Sequence, residues 1–179
     1  MFSEEDIQLV LQYFPKFELC YEIITHKKVL GSNIILAIPH GKKAFAWFTS
    51  YKNDNVCFIL EIGENRHITD IQIITTSFID KLALGTIFYG TFFLKLDNNK
   101  GNNYFCVEDL YYYAGKSCSN YSYLSKLEKL KDIFKNEISQ NALFNKFTIF
   151  GLPLMSNDLH LILNEIQLLP YKVNDIKFQ

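Results

Sequence analysis

Apolar and polar positions change their rhythm twice along the chain, and the changes mark three stretches. In the first, Ile7, Leu9, Val10 and Tyr13 recur at helical intervals behind Ser3, an N-cap with Asp6 three residues on, and Pro15 stops the helix. From Phe17 the texture becomes strand-like. "FELCYEII" precedes a basic turn, "THKKVLGS", and "NIILAI" and "KAFAWFTS" flank a Pro39-His40-Gly41 corner. "VCFILEI" and "DIQIITT" follow, separated by a turn at Gly63, Glu64 and Asn65. "TIFYGTFFLKL" and "NYFCVEDLYYY" form the clearest hairpin, joined by a polar loop from Asp97 to Asn103.

After the turn "AGKSCSN" the period becomes helical again. Leu124, Leu127, Leu130, Ile133 and Phe134 line one face of a helix expected over 124–145, with lysines and glutamates opposite. A short strand "NKFTIFGLP" follows, then a helix "DLHLILNEIQLL" that Ser156 or Asn157 caps and Pro170 ends, with His160 mid-helix. The closing "YKVNDIKFQ" reads as a strand, either at a sheet edge or at a cut in a longer chain. This order predicts an α+β fold, mainly antiparallel sheets with flanking helices, in one domain over 1–179. Its parts are an N-terminal helix over 1–16, a strand-rich core over 17–113 and a helix-strand-helix-strand run over 114–179.

Composition narrows the function classes. At 179 residues, 49% apolar and 16% aromatic, the chain can bury a core without staples. A net charge of −1 provides no global field for nucleic acid or membrane, so polyanion binding must come from a local patch. Arg66 is the sole arginine, which nearly removes bidentate phosphate clamps. Cys20, Cys57, Cys106 and Cys118 are too scattered for a zinc site and read as buried thiols in a reducing compartment. The acidic, amphipathic start and the lack of a long uncharged run predict a soluble protein, intracellular, cytoplasmic or nuclear. The abundance of Asn, Ile, Lys, Phe and Tyr suits an A/T-rich genome such as that of a large DNA virus, where the location would be the viral factory.

No G-x-S-x-G, H-E-x-x-H, Walker A or Rossmann glycine pattern is present. "GKKA" and "GKSC" lack the upstream glycine of a P-loop. His26, His40, His67 and His160 do not cluster.

An ordered series of motifs stands out instead: "GSNIILAIPHGKKAFAWFT", "LGTIFYGTFF", "YFCVEDLYYYAGK" and "FTIFGLPLMSNDLHLILNEIQLLPYKVNDIKF". The series resembles the covalent nucleotidyltransferases, meaning mRNA guanylyltransferases and the adenylation domains of nucleic-acid ligases. It is closest to the snurportin-type cap-binding domains, which look like guanylyltransferases without the catalytic lysine. Gly31 and Ser32 through Lys43 match the pattern glycine-serine, apolar strand, P-x-G-K-[RK], and the likeness runs from Gly31 to Phe178.

The resemblance implies a pocket without a catalyst. The slot of the nucleophilic lysine holds Ile38, and the acidic slots hold His40, Thr91 and Asn174, with Asp175 one place along. Without the amine no lysyl–nucleotide forms, and without the carboxylates a divalent cation loses its ligands, so neither enzyme activity nor cofactor nor metal is expected. The residues expected to bind a ligand are Ser32, His40, Lys42, Lys43, Trp47, Tyr89, Thr91 and Asp109. Strand alternation puts Lys43, Phe45 and Trp47 on one face, with Lys42, Ala44, Ala46 and Phe48 on the other. A ring beside a lysine suits a purine nucleotide, and a methylated, cationic guanine adds about 0.5–2 kcal/mol of cation–π attraction per ring. Asp109 suits a ribose hydroxyl or a pocket lysine. Tyr111, Tyr112 and Tyr113 form a contact surface. The expected function is non-catalytic binding of a 5′ cap or guanine nucleotide, with capped RNA as the partner. The alternative is a protein-interaction module that kept the fold and lost the ligand. A transferase using Lys42 or Lys43 is disfavoured because the strand displaces both amines from the nucleophile's slot.

Overall fold

The computed structural model of the chain describes residues 2–16, 33–63, 67–97, 100–140 and 147–179. The expected strand "FELCYEII", the basic turn after it, Ser32, and Glu64 and Asn65 of the next turn lie outside them.

Helix α1 (Glu4–Tyr13) starts as its sequence requires. The Ser3 hydroxyl accepts from the Asp6 N–H at 3.2 Å, and the Asp6 carboxylate accepts from the Ser3 N–H at 3.2 Å, which closes a capping box. The chain leaves the helix at Phe14, just before Pro15.

The strands are β1 (Ile35–Pro39), β2 (Lys42–Tyr51), β3 (Asp54–Ile62), β4 (Ile68–Ile74), β5 (Ser77–Phe78), β6 (Thr86–Asp97), β7 (Lys100–Tyr113), β8 (Lys116–Ser117), β9 (Ile138–Ser139), β10 (Ile149–Gly151), β11 (Leu154–Ser156) and β12 (Val173–Phe178). A 3-10 turn (Asp80–Leu84) joins β5 to β6, α2 (Tyr123–Asn136) lies between β8 and β9, and α3 (Leu159–Ile166) between β11 and β12. The large sheet runs β10-β7-β6-β2-β3-β4, with β8 beside β7; a smaller one runs β11-β1-β12, and β5 pairs with β9. Among the described strands β10 lies parallel to β7 and the other pairings are antiparallel, with one isolated parallel bridge between Thr75 and Phe147. The fold class is α+β, as the order of elements predicts.

Both faces of the large sheet are covered. Ala44, Ala46, Phe48, Ile59, Phe88, Phe105, Val107 and Leu110 form one core with Leu130 and Ile133 of α2 and with Leu82. On the other face Phe45, Trp47, Phe58, Leu60 and Ile87 pack under Val10, Ile7, Leu11 and Phe14 of the α1 region. The small sheet has its own cluster, in which Ile35 and Ala37 meet Ile162 of α3.

Four local expectations need correction. The helix ends at Asn136 rather than near 145, because Ile138 is taken up in pairing with Phe78. Strands replace much of the expected Asp97–Asn103 loop, with Lys95 opposite Asn102 and Asp97 opposite Lys100. The cap of α3 is Asp158, whose carboxylate accepts from the His160 and Leu161 N–H groups, so Ser156 and Asn157 lie outside the helix. His160 therefore stands in the first turn of α3. The terminal strand β12 is an edge of the small sheet among the described residues.

Candidate functional site

The corner Pro39-His40-Gly41 is the structural key to the site. Strand β1 pairs with β11 and β12, whereas β2 pairs with β3 and β6, so the chain crosses here from one sheet to the other. It is no hairpin tip. The small sheet lies against β6 and β7 through β1. Pro39 has no N–H to donate and sits at a register shift, and the His40 N–H donates to the Lys172 carbonyl at 2.7 Å. Gly41 is required by space. A Cβ there would stand 2.5 Å from the Phe92 carbonyl oxygen and 2.8 Å from the Thr91 methyl.

Beyond the corner, the pleat separates the two lysines. Lys42 turns to the α2 side, where its ammonium meets the buried Glu61 carboxylate at 2.6 Å. That partner holds the Lys42 amine above its ordinary value. Lys43 turns to the opposite side, toward Phe45 and Trp47 as alternation requires. Its ammonium donates to Glu108 Oε1 at 2.6 Å and to Thr91 Oγ1 at 3.2 Å, and the Thr91 hydroxyl donates to the same Glu108 oxygen at 2.7 Å. The side chain of Lys43 keeps 34% of its surface exposed, while that of Glu108 has none. Glu108 Oε2 is buried without any hydrogen-bond partner.

Rings stand on both sides of this triad. Along β6, Tyr89, Thr91 and Phe93 share one face, about 7 Å between neighbours. The Lys43 ammonium lies 5.8 Å from the centre of the Tyr89 ring. Phe93 stacks on Tyr104 with ring centres 5.6 Å apart, and Tyr171, just ahead of β12, closes on Phe93 at 5.4 Å. These rings are half-buried. Burial also raises the neighbouring acids: the Cys106 thiol is pushed well up by desolvation and then by Glu108, and the Tyr123 phenol by desolvation and then by Asp109 and Glu108.

Of the expected ligand-binding residues, the structure therefore gathers Lys43, Tyr89 and Thr91. Trp47 is a core residue instead, 4% exposed, with the Phe14 ring at 5.2 Å and the Phe58 ring at 5.9 Å, so helix α1 seals it off. Lys42 lies on the opposite face from Lys43, on Glu61. Asp109 is spent on Lys126 of α2 at 2.8 Å, and its place beside Lys43 belongs to Glu108. His40 is exposed, with its Nδ1 3.5 Å from Asn174 Oδ1. Ile38 is buried, and alternation turns it, with Leu36, away from Ile35, Ala37 and the α3 cluster.

Four contributors escape a reading of the sequence. Glu108 is placed by a bulge: the β6–β7 register shifts between Tyr89 and Gly90, leaving Glu108 as the extra residue between Asp109 and Val107. Phe93 and Tyr104 had a visible signal, since they alternate with Thr91 and Cys106. Tyr171 had none, because only the packing of the two sheets brings it near. No protein-family model matches the chain, and no curated protein matches it.

Proposed function

We propose that the chain is a non-catalytic binding module for a guanine nucleotide or the 5′ cap of mRNA, in a degenerate pocket like that of the nucleotidyltransferases and closest to the snurportin type. One observation carries the reading. The ammonium of Lys43, a side chain about one-third exposed, is fixed by a fully buried carboxylate and a hydroxyl, with half-buried rings on the same face to either side. A purine needs such a surface, since every base has a π-face to stack and an edge of hydrogen-bonding atoms. The crossing of β1 into β2 between two sheets leads directly into Lys42 and Lys43, of which Lys43 belongs to this surface.

Catalysis has no support from the same residues. The nucleophile's slot is an apolar side chain inside β1, and two of the three hydrogens on the Lys43 ammonium are committed to Glu108 and Thr91.

Calorimetric titration of the whole chain with m7GTP, trimethylguanosine cap, GTP and ATP tests the reading. Trp47 quenching is a poor substitute, because that ring is walled off by Phe14 and Phe58. At least one guanine ligand is expected to bind in the micromolar range, and Lys43→Ala to abolish the heat. No heat from any of the four at high micromolar concentration overturns it. Labelled GTP followed by acid precipitation is expected to leave no covalent adduct.

A second reading, a protein-interaction module, is favoured by a separate feature. Leu159, Leu161 and Leu163 of α3 and Leu168 beyond it all stand exposed.

A further inference from the structure

We infer that Lys43 reads an uncharged acceptor on the base of the ligand rather than its phosphates, and that Glu108 is the positioning residue that sets this preference. The inference rests on the nucleotide-binding reading above and names the part of the ligand that the site takes.

The charges around the site decide it. Lys42, Lys43 and Lys126 each have a carboxylate of their own: Glu61 at 2.6 Å, Glu108 at 2.6 Å and Asp109 at 2.8 Å. In these three pairs the positive charge of each lysine is thus matched by a carboxylate. A phosphate approaching Lys43 also approaches the Glu108 carboxylate directly behind it. Because that carboxylate is out of contact with water, its repulsion is weakly screened and offsets most of the ammonium's attraction.

A neutral acceptor meets no such opposition. The Lys43 ammonium has three N–H groups, of which Glu108 and Thr91 take two, which leaves one for a carbonyl oxygen or ring nitrogen. The partly buried rings of Tyr89 on one side and of Phe93, Tyr104 and Tyr171 on the other suit the plane of a base bearing that atom.

Glu108 itself is the second observation. A carboxylate wholly out of water, with one oxygen holding both Lys43 and Thr91 and the other holding nothing, is a costly group to keep. A hydrophobic residue would serve stability as well. What the carboxylate uniquely does is aim the ammonium and cancel its charge.

The test uses guanosine, GTP and inorganic tripolyphosphate as calorimetric probes against the wild-type chain, at low and high salt. Guanosine and GTP are expected to bind within about threefold of one another, with little salt dependence, while tripolyphosphate neither binds nor competes. In Glu108→Gln the unopposed ammonium should bring tripolyphosphate binding into the measurable range, while guanosine weakens as Lys43 loses its anchor. A purely structural role for Glu108 would weaken guanosine without bringing in tripolyphosphate and is thereby told apart. Should Glu108→Gln fail to fold, the wild-type comparison decides alone. Binding of GTP and tripolyphosphate without guanosine overturns the inference and leaves the nucleotide reading standing. If neither nucleoside nor nucleotide binds, that reading falls and takes this inference with it.

Discussion

The Lys43–Glu108 pair concentrates the energetic risk of this protein in two side chains. Deleting the ammonium strands a carboxylate that has no exposed surface, and a buried charge left alone is far worse than a buried pair. Lys43→Met is therefore expected to destabilise the fold by about 2–3 kcal/mol. Lys43→Met with Glu108→Gln should recover part of that loss, leaving a coupling of more than about 1 kcal/mol in the double-mutant cycle. Urea unfolding followed by Trp47, the only tryptophan, measures the cycle, and strict additivity of the two substitutions would show the pair to be uncoupled. Half of this pair is legible in the sequence. Period-two alternation puts Lys43 on the face of Phe45 and opposite that of Lys42, because a pleated strand has no other choice. Its partner is not legible. Asp109 is the acid that a motif-based reading selects, and a single bulged residue in β7 gives the position to Glu108 instead.

At the scale of elements, local chemistry governs starts and tertiary pairing governs ends. The capping box of α1 is written in Ser3 and Asp6, and Ser3→Ala is expected to cost about 1 kcal/mol of stability by chemical denaturation. The Ser3 hydroxyl, followed by its N–H, holds the Asp6 carboxyl below the usual carboxylate range. A lowered folded-state value means a contribution fully present above the ordinary carboxylate range, near pH 4, and lost as pH falls through the lowered value. Amide exchange in α1 should therefore accelerate in acid on top of its intrinsic rate. Asp6→Asn should flatten that extra dependence; an unchanged profile would show that the box does not hold the helix. Helix α2 shows the opposite case. Its apolar period carries on past Asn136 on paper, yet Ile138 and Ser139 are drawn into β9 by the antiparallel partner β5. No local propensity reports that competition, since the partner lies some sixty residues upstream.

The whole molecule is organised around the close approach of β6 to its neighbours. At Gly41 the crossing strand presses on β6, and at Gly90 the carbonyl of Cys106 occupies the space a Cβ would need. Gly90→Ala is thus expected to cost about 3 kcal/mol or more, because backbone rather than a flexible side chain must give way. A thermal melt of that variant within a degree or two of the wild type would contradict the packing of β6 on β7. The amino-acid sequence by itself determined the α+β class, the antiparallel strands, the α1 cap and the opposite faces of Lys42 and Lys43. Each of these follows from residue spacing within a few positions, where chain geometry leaves one arrangement. Only the tertiary structure decided that the Pro39-His40-Gly41 corner joins two sheets, that Trp47 belongs under α1, and that Glu108, Phe93, Tyr104 and Tyr171 gather round Lys43. Those outcomes depend on partners tens of residues apart and on one bulge, and neither leaves a period in the sequence to be read.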